Sequence, residues 1–317
     1  MIFRPFGSTG IDLSVIGLGG HEYLADGSSR GFNEDRGDAV KPGYTGKGYG
    51  GPRRQDVLKS ALDAGINFLD VTIDPEKEAL GRNLREISIP QDIYIQTRPE
   101  GMGYGYDPGN TKMADGGLLR AEVERCLSLL RREAIDILNF PFLQSALDED
   151  PDYLSKIEDN VATLKKAGLI RFASADNFSG QSTYLAQIES GIFDSISINH
   201  NFADCLAAER VIPVASDSGM GVITREVFQK GRLFKMGEEA NVSDLGLLAR
   251  AALKWNLTNN RITTSLVGAH DTDQLADALS ILKTLDLTES DTTLLDRLLE
   301  TPTGRAFRES KASGFTS

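Results

Sequence analysis

Eight short runs of apolar and β-branched residues recur along nearly the whole chain, separated by segments of helical period, and this alternation limits the fold more than any other feature. The runs are read at residues 15–18, 67–70, 93–96, 135–140, 170–174, 195–199, 222–224 and 264–267. Strands that alternate with helices specify repeated βα units around a parallel sheet. Segments 117–130 and 152–167 place apolar residues three and four apart, as a helix packed on a sheet requires. Gly65, Gly168 and Gly219 each follow a helical segment, where a left-handed cap favours a residue without a Cβ. With 317 residues, 40% of them apolar, the chain buries a core large enough for a closed (β/α)8 barrel. No repeat, linker or low-complexity tract interrupts it, so one domain over residues 1–317 is expected.

Charge removes several classes of partner. At a net −12 the chain lacks the clustered Lys and Arg that bind nucleic acid or an anionic membrane surface, so neither is expected and a small molecule is the expected ligand. Cys126 and Cys205, its only cysteines, form no CxxC pair and no disulfide framework, which points to a reducing compartment. There is neither a charged-then-apolar leader nor a run of 18 apolar residues, and a cytoplasmic location is the expectation.

Two loops and three histidines depart from the regular alternation. Residues 21–52, after the first strand, are polar and glycine-rich, and residues 99–116 carry Tyr104 and Tyr106. Both leave the carboxyl ends of strands, where barrel active sites lie, and loops this long are functional or mobile. His21, His200 and His270 also follow predicted strands one, six and eight. Histidine suits proton transfer near neutral pH, so these positions are catalytic candidates; supporting neighbouring groups is the other reading, and both stay open. A metal held by His21, His200 and Asp70 would need a convergence that spacing does not show, so no metal site is expected.

The motifs along the chain resemble those of the aldo-keto reductases, in family order. FRPFGSTGIDLSVIGLGG (3–20) is similar to the family's N-terminal hairpin and first barrel strand, and GINFLDVTIDPEKEALGRNL (65–84) to its G-x-N-x-x-D-T-A, Y-G and S-E-x-x-L-G segment. IYIQTRPE (93–100), AIDILNFPF (134–142), GLIRFASADNF (168–178), MGVITREVFQKGRL (220–233) and ITTSLVGA (262–269) follow. The resemblance implies a proton-donating tyrosine tuned by aspartate and lysine, with a histidine that orients substrate. Asp70 stands at the aspartate position; the other three read Pro75, Arg98 and Pro141. Arg98 keeps a positive charge able to pair with Asp70 and to stabilise an oxyanion, but guanidinium does not exchange protons. Candidates to replace the missing acid are His21, His200, Asp74 and the loop tyrosines.

The resemblance further implies a nicotinamide cofactor, with Asn177 and Ser197 near the nicotinamide carboxamide, Gly268 and Ala269 at the phosphate, ahead of a helix starting near Asp271, and Arg225 and Gln274 as further cofactor-binding candidates. Asp271 and Asp273 would repel a 2′-phosphate, which favours NAD over NADP if either is bound. Three functions stay open: an NAD(P)-linked oxidoreductase acting on a small polar carbonyl or sugar-like substrate with a nonstandard proton donor; a non-redox lyase, dehydratase or epimerase; and a catalytically silent regulatory homologue. A monomer is the family default.

Overall fold

A computed structural model describes residues 1–19, 52–103, 107 and 109–311. The chain opens with an antiparallel hairpin of β1 (Phe3–Pro5) and β2 (Asp12–Ser14). Eight parallel strands then close into a barrel: β3 (Ile16–Gly19), β4 (Phe68–Asp70), β5 (Tyr94–Thr97), β6 (Ile135–Pro141), β7 (Ile170–Asp176), β8 (Ser195–Asn199), β9 (Gly221–Arg225) and β10 (Thr264–Val267), with β10 pairing back onto β3. All eight expected strands are present, two of them with the expected bounds. The others differ by one or two residues at an end because pairing with a neighbour, not apolar content, sets where a strand stops. β7, for example, runs on to Asp176, which pairs with Pro141.

Helices fill the crossovers. They are α1 (Pro52–Asp63), α2 (Asp74–Glu86), α3 (Thr111–Ala114), α4 (Gly116–Leu130), α5 (Gln144–Glu149), α6 (Tyr153–Lys166), α7 (Gln181–Glu189), α8 (Val211–Asp217), α9 (Arg232–Glu239), α10 (Leu245–Leu257), α11 (Thr272–Leu279), α12 (Glu289–Leu299) and α13 (Pro302–Lys311). No helix among the described residues is long and apolar enough to cross a membrane.

The core has two layers. Leucine, isoleucine and valine between the strands and the helices make the larger one. A smaller cluster of Phe6, Leu13, Phe68, Ile137, Ile223 and Leu266 fills the barrel interior. Phe6 reaches it from the hairpin and meets Phe172 edge to face at 6.1 Å. The hairpin thereby closes the amino-terminal end of the barrel, and the carboxyl ends of the strands form the opposite end, the mouth.

Gly81 allows α2 to lie directly on α4. A Cβ at this position would fall 2.4 Å from the Leu129 carbonyl oxygen and 2.7 Å from that of Leu130, both backbone atoms that cannot step aside. Gly81→Ala is therefore expected to cost about 2 kcal/mol or more in urea unfolding. A neutral result would mean that the two helices lie farther apart.

Candidate active site

Side chains on a strand alternate between faces, so the apolar lumen residues identify which positions look inward. Above Phe68, Ile137, Phe172 and Ile223 on the same faces come Asp70, Asn139, Ser174 and Arg225, and the inner layer turns from apolar to polar toward the mouth. Asp70 and Ser174 are joined through two more polar residues, Gln96 and Ser197. Gln96 Nε2 donates to Asp70 Oδ1 (2.8 Å), Ser197 Oγ donates to Gln96 Oε1 (3.1 Å), and Ser174 Oγ lies 3.2 Å from Ser197 Oγ. Ser197 has one proton and gives it to Gln96, so Ser174 must be the donor in the last pair. Every donor in the chain points toward the Asp70 carboxylate, and Oδ1 is the atom it holds.

Asp70 is half-buried at the end of β4, and its carboxyl is pushed up to about 6. Burial raises it most and the nearby Glu76 carboxylate adds to this; the Gln96 bond and the charges of Arg225 and Arg98 oppose them. The expected Asp70–Arg98 pair is not what holds this carboxylate: Gln96 fills that role, and Arg98 acts on Asp70 through its charge.

The other sequence candidates are dispersed. His21, Tyr104 and Tyr106 lie outside the described residues. His200 follows Asn199, an inward residue, and so lies on the outer face of the wall, 1% exposed, its ring 5.3 Å from that of Trp255. Burial pulls the imidazole down to about 4, leaving it neutral at pH 7, and the structure removes it from the mouth. His270 is exposed at the start of α11, its N–H donating to Gln274 Oε1 (3.0 Å). Asp74 is fully buried between Lys77 Nζ (3.1 Å) and the Arg125 guanidinium, which takes it out of proton exchange at the mouth. Pro141 is buried against Gly103: a Cβ on Gly103 would fall 2.7 Å from the Pro141 carbonyl oxygen. Asn110, with φ 51°, fixes the loop that carries Gly103, since its side chain donates to the Met102 and Asp107 carbonyls and accepts from Leu143 N.

Around the rest of the rim, Arg225 makes a two-pronged contact with Asp176 (2.6 Å from Nη1 to Oδ2), donates to Asn199 Oδ1 (2.7 Å) and lies 4.8 Å over the Phe178 ring. Asn177 serves its own turn: Nδ2 donates to Gln187, and Oδ1 accepts from Ser179 N and Gly180 N. The loop after β9 carries Glu226, Gln229 and Lys230 at φ 61°, 54° and 55°, a concentration of left-handed, non-glycine backbone typical of ligand clamps. Within it, both amide atoms of Gln229 are buried without a partner. On the far side, Gly268 and Ala269 precede α11, which Asp271 caps by accepting from Gln274 N (2.9 Å).

A family model described as "Aldo/keto reductase family" matches residues 45–247. The chain belongs to the aldo/keto reductase family. Over 94% of each chain it is 24% identical to L-galactose dehydrogenase of Arabidopsis thaliana. It is 22% identical to L-glyceraldehyde 3-phosphate reductase of Escherichia coli (strain K12), over 76% of this chain and 82% of that one. Its barrel superposes on a holo-form aldo-keto reductase from Bacillus halodurans with a TM-score of 0.70, at 17% identity, covering 94% of this chain and 96% of the other. Asp70, at the position that the resemblance gives to the family's aspartate, lies at this mouth. The residues that accompany it, Gln96 and Asn139, escaped the sequence reading. The signal for both was a polar residue inside an apolar strand, IYIQT and IDILNFP, at even spacing from inward neighbours.

Proposed function

We propose that this aldo/keto reductase family member is an NAD-linked oxidoreductase of small polar carbonyl or sugar-like substrates, in which Asp70 takes over the proton transfer ordinarily made by tyrosine. The observation that carries the reading is the state of Asp70. A carboxyl near 6 at the floor of the mouth holds a proton in about a tenth of molecules at neutral pH and regains it readily, as a general acid–base group must. With Oδ1 held by Gln96, the exchangeable proton sits on Oδ2. Arg98, half-buried just past the end of β5, supplies a fixed positive charge where negative charge develops on the substrate oxygen.

A nicotinamide dinucleotide is the cofactor that the family implies, and the chain offers groups that fit one without a 2′-phosphate. Asp271 already caps α11 and Asp273 follows in its first turn, so the anion position there is filled by the protein, and both carboxylates suit ribose hydroxyls. The unpartnered amide of Gln229 is the kind of buried group that a bound polar ligand completes. Gly268, Ala269 and Gln274 would flank the adenosine end, and Asn177, Ser197 and Arg225 the nicotinamide end. When bound, the cofactor supplies the hydride; Asp70 moves the proton and Arg98 steadies the oxygen.

Calorimetric titration with NADH and NADPH, followed in parallel by Trp255 fluorescence, tests this reading. Saturable binding with NADH the tighter of the two is the expected result. No binding of either up to about 1 mM, weaker than roughly −4 kcal/mol, would leave the non-redox and silent readings.

A further inference from the structure

β6 presents three inward positions: Ile137 in the apolar lumen cluster, then Asn139, then Pro141 at the strand end. Pro141 has no N–H and lies under Gly103, so Asn139 is the inward residue of this strand with side-chain hydrogen-bonding groups. Its Oδ1 is buried without a partner, although the residue is only 5% exposed. Leaving a buried amide oxygen unmet is costly in a folded chain and persists where something outside the fold completes it.

Its surroundings say what that is. Asn139 pairs in register with Ser174, the first member of the chain that ends at Asp70. On its other side lies β5, where Gln96 pairs with Ile137 and Thr97 with Leu138. Asn139 therefore stands on the mouth floor between β5 and Ser174, where the hydrogen-bonded chain serving the acid begins. Ser195 Oγ and Thr264 Oγ1 are also unpartnered, but both residues are 0% exposed, whereas the Asn139 side chain keeps a small exposed area. A carboxamide offers one acceptor and one donor group side by side, which matches two neighbouring oxygens of a polyol: one hydroxyl donates to Oδ1, and the other accepts from Nδ2.

We propose that Asn139 is a specificity-determining residue that grips adjacent oxygens of a polyhydroxylated substrate, an aldose or the corresponding alditol, and orients it toward Asp70 in place of the group missing at Pro141. The inference rests on the oxidoreductase reading for the identity of the reacting carbon, and its test separates the two.

Asn139→Leu keeps the branched outline of the side chain and removes both hydrogen-bonding groups, and Asn139→Asp keeps an acceptor. Binding of three- to six-carbon aldoses and their alditols would be measured by calorimetry and saturation-transfer NMR on wild type and both variants, with and without NADH, alongside thermal unfolding. The expected result is at least a tenfold loss of sugar affinity in Asn139→Leu, the loss of about one neutral hydrogen bond. Asn139→Asp should retain most of the affinity, and NADH affinity should be unchanged in both. Because Leu also relieves an unmet buried group, the unfolding midpoint should rise by about 2 °C. A fall in that midpoint would make Asn139 a structural residue and overturn the proposal, as would sugar binding undiminished in Asn139→Leu. If wild type binds NADH but no member of the panel, the polyol assignment fails. If it binds no NADH, the oxidoreductase reading fails, while sugar binding without NADH and the unfolding shift still decide the place of Asn139.

Discussion

Replacing Asp70 with asparagine is expected to lower carbonyl reduction by roughly 10² to 10⁴-fold, the usual contribution of a general acid, while making the protein more stable at neutral pH. Asparagine keeps an oxygen to accept from Gln96 Nε2, so the chain through Ser197 and Ser174 survives and the loss is one of proton transfer. The stability gain follows from the sign of the shift. The folded-state carboxyl titrates near 6, above the 3.8 of an unperturbed aspartate, so folding favours its protonated form. Below about pH 4 Asp70 is protonated in both states and costs nothing. As pH rises from about 4 to about 6 the unfolded chain ionises first and wild-type stability falls; above that the penalty is constant. Asn cannot ionise, so the variant should match wild type near pH 3 and exceed it by about 3 kcal/mol at pH 7. Urea unfolding at the two pH values, together with turnover, checks both halves. Equal stability at pH 7 would mean that the carboxyl titrates normally.

The second large effect is expected at Lys77, outside the hydrogen-bonded chain that ends at Asp70. This lysine is wholly buried in the first turns of α2, 3.1 Å from Asp74 and 3.6 Å from Glu100. Asp74 also meets Arg125, and Arg125 meets Glu122, whose Oε1 accepts from Glu100 N. The five charged side chains tie α2, α4 and the loop after β5 together. Lys77→Met would leave Asp74 and Glu100 facing each other in a dry setting, at a cost of about 3–5 kcal/mol. Burial already pushes the Glu100 carboxyl up, so Glu100→Gln in the Lys77→Met background should return part of that loss. Denaturant curves of the single and double variants measure this coupling; additive effects would show that the two residues do not share one network.

The barrel was legible because each of its strands is an apolar run bounded by turn residues, and a buried parallel strand leaves that trace in sequence without reference to its partners. Gly65, Gly168 and Gly219 were legible for a similarly local reason, and they adopt φ of 87°, 71° and 78°. Asp70 and the capping by Asp271 were readable from motif position. What escaped depended on contacts between distant segments. Gln96 matters because Ser197, three strands away, points back at it, and no spacing encodes that. His200 looked catalytic by its place after a strand, but alternation after Ser197 and Asn199 turns it outward onto Trp255. Asp74 looked like a spare acid until Lys77 and Arg125 closed on it. Pro141 looked like a lost catalytic position at the rim, whereas Gly103 packs directly on it. In each case the side-chain type was informative and its direction was fixed elsewhere in the chain.

The claim that Asp70 has become the proton-exchanging group is tested most directly by following its carboxyl carbon through a pH titration by ¹³C NMR, with Asp70→Asn supplying the assignment. A midpoint near 6, well above that of the exposed aspartates, is the predicted result. A midpoint at or below about 4 would contradict the account, because such a group is fully ionised at neutral pH and has no proton to give.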